Sequence, residues 1–494
     1  MGEDSRRVVV VGSGPTGAMA ATVLIRQGIP VTLLESGQAL PSGWLVRAGG
    51  RTLYRRLPEF GPPQEYVSNA ESKAVWFDRL IPGGMSNFWS GTVPRFAPED
   101  FYEGERLHER YRWPVSYEDL VPYYEQVEKI LQIAGSPQNV PNLPACQVAY
   151  QRTLPAHWQA IGRHAEKAGR GFTVLPSATG SPWLFLRRGT FFNSFRQLVT
   201  NLLRSPLFSL RLGAHAIRLE WDGALKKVDG VIYIDRTTGL EQRLAAEAIV
   251  VAAGPLASTR LLLNSTSADF PHGLGDTEGL LGRYLHDHVQ QWANVDFDGP
   301  MPRLDPPAYL TRADYRRSEP LLAASCTLGF GSSKPIERLL ARTPIKAKTF
   351  GVVLFGSMIP SPSNHVRLDS TLQDRFGQSQ LKIQICHSDD AERTLTASRE
   401  DLLTILEAAG YQAMIRGVFT KPPGHSVHYG GTVRMHHSPQ YGMLNGWNRM
   451  HAVNNVAVVD ASSFTTGPEK NPVPTAMALA ARAADRLVED LKRS

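Results

Sequence analysis

The run Val8-Val9-Val10-Val11-Gly12-Ser13-Gly14-Pro15-Thr16-Gly17 decides the fold: four β-branched residues enter a G-x-G-x-x-G turn, and a helix-like segment follows as far as Gly28. Strand, tight turn and helix in that order open a dinucleotide-binding βαβ unit. Gly12 allows the turn, Gly14 lets the backbone approach a pyrophosphate, and Gly17 lets the helix pack on the strand. Phosphates placed there would face the unpaired N–H groups at the start of the helix. A second apolar run, Val31-Thr32-Leu33-Leu34, ends in Glu35, 21 positions after Gly14, with Ser36 next to it. A carboxylate at that strand end can accept the hydroxyls of an adenosine ribose.

A chain of 494 residues, 42% hydrophobic, is too long for one simple core, so two domains are expected. The formal charge of +7 arises from 53 Lys+Arg against 46 Asp+Glu spread along the chain, not gathered into a tail, which gives no footprint for nucleic acid. Cys146, Cys326 and Cys386 are odd in number and lack C-x-x-C spacing, so reduced buried thiols are expected, not a disulfide framework. The first strand begins by Val8, leaving no room for a signal peptide, and no uninterrupted apolar run approaches a membrane span. A cytoplasmic protein with no membrane partner follows as the expectation; nothing in the sequence specifies an oligomeric state.

A Gly/Pro-rich passage from about Pro41 to Pro98 contains Gly83-Gly84-Met85-Ser86-Asn87-Phe88-Trp89-Ser90-Gly91, irregular backbone of the kind found beside ligands. The spacing of Leu120, Tyr123, Tyr124, Val127, Ile130 and Leu131 predicts a core-facing helix over 117–133. A helix and strand are expected over 198–212, then a hairpin from Ala216-Ile217-Arg218-Leu219-Glu220 and 228–234. Ala248-Ile249-Val250-Val251-Ala252-Ala253-Gly254 reads as a buried strand ending in glycine, with a helix over 256–263. Alternating strands dominate 324–386, with turns at Ile359-Pro360-Ser361-Pro362. Asn455-Val456-Ala457-Val458-Val459-Asp460 is a buried strand ending in a carboxylate, and 474–491 is an Ala-rich helix with apolar spacing. The chain thus reads as α/β, α+β overall. A nucleotide-binding domain is expected from 1–98, 190–290 and 426–494, and a second domain from 99–189 and 291–425.

Several motifs in a fixed order carry a resemblance: Val11-Gly12-Ser13-Gly14-Pro15-Thr16-Gly17, Gly83-Gly84-Met85-Ser86, Val251-Ala252-Ala253-Gly254, Leu281-Gly282-Arg283-Tyr284-Leu285, His428-Tyr429-Gly430-Gly431-Thr432-Val433-Arg434-Met435, Val458-Val459-Asp460-Ala461-Ser462, and Asn471-Pro472-Val473-Pro474-Thr475. On these the chain resembles the glucose-methanol-choline (GMC) oxidoreductases, and within them the branch of pyranose 2-oxidases and bacterial C-glycoside 3-oxidases. The resemblance implies FAD, a Rossmann-like FAD-binding domain in discontinuous pieces, and a substrate domain built on an antiparallel sheet flanked by helices. The cofactor contacts it implies are Gly12, Gly14, Pro15, Thr16, Gly17, Glu35, Ser36, Gly84, Met85, Ser86, Phe88, Trp89, Ser90, Ala216, Ala253, Gly254, Asp460, Ala461, Asn471, Pro472 and Thr475. Where fungal pyranose oxidases carry the histidine bonded covalently to the flavin, this chain has Phe88, which has no nucleophilic atom, so noncovalent FAD is expected. Ser90 stands where a hydroxyl would sit near flavin N5.

Oxidising an alcohol needs a base for the hydroxyl proton and a hydride acceptor, and neutral imidazole suits the first task. His428 aligns with the family's catalytic histidine, with Gly430 and Gly431 read as letting the backbone approach the isoalloxazine. Asn471 aligns with the partner that hydrogen-bonds the same substrate oxygen; an amide positions but does not titrate. The helix start at Pro474 and Thr475 would stabilise negative charge on reduced flavin. Asp460 would bind ribityl hydroxyls, an ordinary N-cap being the alternative. Lys470 reads as a solvated lysine, with an anion-binding role as the alternative.

His425, His436, His437 and the pair in His286-Asp287-His288 match no zinc spacing, so no metal is expected. Trp292, Tyr309, Phe330, Phe350 and Phe355 lie among polar residues, a mixture that suits sugar stacking. The leading expectation is a sugar or glycoside oxidoreductase that turns a ring secondary alcohol, C2 or C3 of a glucose-like ring, into a ketone, with oxygen or a quinone as acceptor. A sterol or other alcohol oxidase on the same fold would want a large apolar cavity. A non-catalytic flavoprotein should have lost the base.

Overall fold

The computed structural model describes residues 8–38, 67–68, 74, 76–77, 79–180, 191–298, 306–312, 318–329 and 349–493. Much of the expected 41–98 loop passage, and Phe330, lie outside the described residues. Runs of Val, Ile and Leu without a polar alternation need cover on both faces, and they assemble into one parallel sheet. Its order is Val456–Val458, Ala248–Val251, Val8–Val11, Val31–Glu35, Phe208–Leu212, and every neighbouring pair is parallel. The helix Pro15–Arg26 follows the glycine turn with Pro in its first turn, where the missing N–H costs no helix bond. The Ala-rich final helix, Val473–Arg493, packs along it and buries Met477, Leu479, Leu487 and Leu491. Ala214–Asp222, Lys227–Asp235 and Glu241–Ala245 form the expected hairpin, extended by one strand.

A second, six-stranded sheet has the order Ala413–Thr420, Val289–Phe297, Thr349–Gly356, Ala324–Leu328, Ala308–Arg312, Gly171–Val174, antiparallel throughout. One face is covered by the helices Ala156–Lys167 and Asp389–Ala408, neither of which the sequence reading foresaw. Signals for the second were present: Ser388 caps it, Asp389, Asp390 and Glu392 occupy its first turn, and Ala391, Leu395, Leu402, Ile405 and Leu406 form a buried stripe. Val289, Ala293, Val295 and Phe297 face this helical layer. Alternation along the strand turns Gln290, Trp292 and Asn294 to the opposite face.

Segment 99–189 divides between the two cores. Phe101, Trp113, Leu120 and Tyr124 join the core of the parallel sheet, because the helix Tyr117–Leu131 lies against the final helix. Trp158, Ile161 and Val174 join the core of the antiparallel sheet. The architecture is thus α/β with an antiparallel sheet flanked by helices. Among the described residues, no helix is long and apolar enough to cross a membrane.

Candidate functional site

The glycine turn opens onto a cleft with about 1490 Å³ of empty space, its solvent-facing mouth included. Packing demands two of the glycines. Gly12 has φ +101°, and a Cβ there would lie 2.5 Å from the Ala252 carbonyl oxygen. A Cβ on Gly17 would collide with the Gly12 carbonyl oxygen, which is the close helix–strand contact expected of it. Gly14 and Gly254 differ: both line the cleft, and a Cβ on either would meet no protein atom within 4 Å. That empty space lies where a cofactor would run. Gly12, Pro15, Thr16, Glu35, Ser36 and Gly84 also line the cleft, as do Met85, Ala216, Ala253, Asp460, Ala461 and Pro472.

Two buried carboxylates tie the cleft walls together. Glu35 accepts from the Ser13 N–H at 3.1 Å, from the Ser13 hydroxyl, and from the Gly37 N–H at 2.6 Å. It therefore fastens the turn as well as facing the cleft, and burial raises its pKa. Ser13, whose hydroxyl also accepts from the Gly83 N–H at 2.8 Å, was missed as a site residue; its place inside the glycine motif was the signal. Asp460 accepts from the Gly254 N–H at 3.0 Å, from Ser258, and from the Ser462 N–H at 3.0 Å, capping the turn Ala461–Ser463. It is an N-cap and a cleft-lining group at once, and burial raises its pKa too.

Other expected contacts lie behind the lining. Ser86 is buried and donates to the Gly83 carbonyl at 2.6 Å, Phe88 is buried, and the Trp89 indole donates to the Phe192 carbonyl at 2.8 Å. Ser90 pairs with the Thr92 hydroxyl at 3.3 Å. Thr475 is buried against the Tyr124 hydroxyl at 2.7 Å, bracing the first turn of the final helix.

The structure brings His428 and Asn471 together. Asn471 Nδ2 lies 2.9 Å from His428 Nε2, although the two are separated by 43 positions in the chain. Val427 and Tyr429 on one side and Pro472 and Val473 on the other line the cleft, so the pair stands at its edge. His428 Nδ1 is 2.9 Å from His288 Nδ1, and His288 Nε2 is 2.6 Å from the Pro468 carbonyl oxygen. Asp287 accepts the His428 backbone N–H at 2.9 Å and the Ser426 hydroxyl. Burial, with the neighbouring His288 ring, holds the His428 pKa well below 6.5. Burial pushes Asp287 up to about 6 and His288 down to about 4, Lys470 adding to the latter.

Comparisons with known proteins fit this geometry. Residues 360–480 match the family described as GMC oxidoreductase, and residues 5–50 match the FAD binding domain. The chain thus carries a GMC oxidoreductase C-terminal domain and an FAD-binding domain. It is an FAD-dependent oxidoreductase acting on CH–OH groups. Two similar GMC proteins are 2-methyl-1,2-propanediol dehydrogenase of Mycolicibacterium austroafricanum, 27% identical over 98% of this chain and 95% of its own, and paromamine 6'-oxidase of Streptomyces fradiae, 27% identical over 98% and 91%. C-glycoside 3-oxidase of Arthrobacter globiformis is 24% identical over 53% of this chain and 50% of its own. Pyridoxine 4-oxidase from Mesorbium loti shares the fold, with a TM-score of 0.67 at 18% identity over 97% of this chain and 98% of that one.

Within this site several expectations need correction. Lys470 is not solvated: it is 0% exposed, 3.0 Å from Asp100 and 2.9 Å from Glu469. Its neighbour Asn471 is thereby anchored on a buried ion cluster. Gly430 is explained by the His286 ring, since a Cβ there would lie 2.5 Å from His286 Nε2, and Gly431 packs on the same ring. Of the aromatic residues, Phe350 and Tyr309 are core, whereas Phe355 lies 5.5 Å from the His428 ring and Trp292 is 40% exposed with Lys421 over its face. His425 bonds Gln290 at 2.8 Å and His436 faces the Glu109 carbonyl at 3.1 Å. Among the described residues, no three His, Cys, Asp or Glu side chains gather as a metal site requires. The sequence offers His286 and His288 only as a candidate metal pair; the structure instead sets His288 against His428, just before the strand Val289–Phe297.

Proposed function

We propose that this chain oxidises a ring secondary alcohol of a sugar or glycoside, C2 or C3 of a glucose-like ring, to a ketone, with oxygen or a quinone as the final acceptor. The observation that carries the reading is the His428–Asn471 pair, 2.9 Å apart at the edge of the cleft onto which the glycine turn opens. The cleft fits FAD. Gly14 and Gly254 leave backbone open to a diphosphate, Glu35 and Asp460 offer carboxylates, and Pro472 and Val473 bring the final helix start to the far end. Phe88 offers no nucleophile, so the cofactor would be held without a covalent bond.

Bound FAD would supply the hydride acceptor. His428 Nε2 would take the hydroxyl proton, being neutral at neutral pH because burial depresses its pKa. Asn471 would orient the same oxygen through its amide. Phe355, beside the His428 ring, would exclude water from that position. We propose the division 1–98, 190–290 and 426–494 for the FAD unit, amended by the part of 99–189 around the helix Tyr117–Leu131 that packs into its core, with the antiparallel sheet in the remainder covering the substrate.

A second reading, oxidation at a 6' position, is favoured by one finding: paromamine 6'-oxidase matches nearly the whole chain, while C-glycoside 3-oxidase matches half. Anaerobic flavin bleaching with glucose, O- and C-glucosides and paromamine, followed by product NMR, separates the two. A ring ketone supports the first reading, and a carbonyl at the exocyclic carbon replaces it with the second. A flavin that none of these compounds bleaches would contradict both.

A further inference from the structure

We infer that His288 is a positioning residue that fixes the tautomer of His428, so that Nε2 is the nitrogen left bare to accept a proton. The inference rests on the proposed role of His428 and goes one residue beyond it. A backbone carbonyl oxygen can only accept, so His288 Nε2, 2.6 Å from the Pro468 oxygen, must carry a hydrogen. A neutral imidazole has one N–H, which leaves His288 Nδ1 as a lone pair. That lone pair faces His428 Nδ1 at 2.9 Å, a separation at which one of the two nitrogens must donate. The donor is therefore His428 Nδ1. Its remaining nitrogen, Nε2, is bare and receives the Asn471 amide at 2.9 Å, where a substrate hydroxyl would compete for it.

The surroundings hold both rings in this state. His288 is 4% exposed, and burial opposes its protonation. The His288 and His428 rings meet nearly edge-on, centroids 4.8 Å apart, and the Phe355 ring lies 5.8 Å from the first and 5.5 Å from the second, which restricts rotation of either. Asp287 fixes the His428 backbone through its N–H at 2.9 Å. The direction of the relay is thus set by one carbonyl, that of Pro468, three positions before Asn471. Without His288, a free neutral imidazole prefers the hydrogen on Nε2, the tautomer that cannot act as base there. Orientation of a catalytic imidazole by a partner at its other nitrogen is a general device, and loss of general-base function costs roughly 10²–10⁴-fold.

The test uses FAD-loaded protein labelled with ¹⁵N-histidine, with His428→Ala assigning the resonances. Long-range ¹H–¹⁵N correlation of the parent is expected to show His428 protonated at Nδ1 and bare at Nε2; the reverse pattern overturns the inference without any variant. His288→Leu removes the acceptor and is expected to move the hydrogen to Nε2 and slow anaerobic flavin reduction about 10²-fold, with substrate half-saturation and FAD content unchanged. His288→Asn places an amide oxygen where Nδ1 stood and is expected to restore both the tautomer and most of the rate. A His288→Leu protein that keeps the parental tautomer and rate refutes the inference. Failure of the base assignment reads out separately, as full flavin reduction by His428→Ala beside an unchanged parental tautomer.

Discussion

The cofactor cleft and the His428 cluster are built in opposite ways. The cleft is made of backbone: glycines that permit close approach, N–H groups at two helix starts, and carboxylates that stitch turns together. Its residues sit close in sequence within each motif, so their spacing alone shows what they form. The cluster is made of side chains from positions 287–288, 428 and 470–471, held by hydrogen bonds and ion pairs to one another and to groups packed around them. Such a site has no local spacing. Backbone sites tolerate replacement at most positions except where a Cβ collides, whereas a buried side-chain network fails when any one member leaves a partner unpaired.

That contrast can be broken at Lys470. Lys470→Met strands the Asp100 and Glu469 carboxylates, which are 0% exposed, and should cost about 3–5 kcal/mol of stability, measured by urea unfolding of the FAD-loaded protein. A variant as stable as the parent would show that the ion cluster does not hold the site together. On the cleft side the expected effect is smaller and different in kind. Glu35→Ala should weaken FAD retention by about 1.5–3 kcal/mol, tenfold to a hundredfold, while leaving flavin reduction unchanged once FAD is saturating. Flavin loading is read by acid precipitation, which should release all colour into the supernatant; a yellow washed pellet would contradict noncovalent binding, and undiminished affinity would contradict the role of Glu35.

What the sequence revealed follows the same division. Gly12 and Gly17 announce a turn and a helix contact because no other residue fits, and the final helix announces itself through small residues spaced to pack on its neighbour. His428 and Asn471 were legible through their flanking motifs, and the structure brings them together. Lys470 was misread because a lysine is ordinarily solvated, and only tertiary packing supplies the two carboxylates that permit its burial. His288 looked like half of a metal pair; its actual partner lies 140 positions away, beyond the reach of any spacing argument. Phe350 and Phe355 are five positions apart in one strand, yet the pleat sends one into the core and the other to the His428 ring.

The central claim, that His428 is the proton acceptor, is tested most directly by anaerobic stopped-flow flavin reduction in the parent, His428→Ala and Asn471→Ala across pH. His428→Ala should retain FAD and lose roughly 10²–10⁴-fold in rate, with Asn471→Ala falling less. Because burial lowers the His428 pKa, its neutral form persists below 6.5, so the parental rate should hold from pH 8 through 6.5 and drop only in more acid solution. A His428→Ala protein that reduces its flavin at the parental rate would contradict the account and place the base elsewhere.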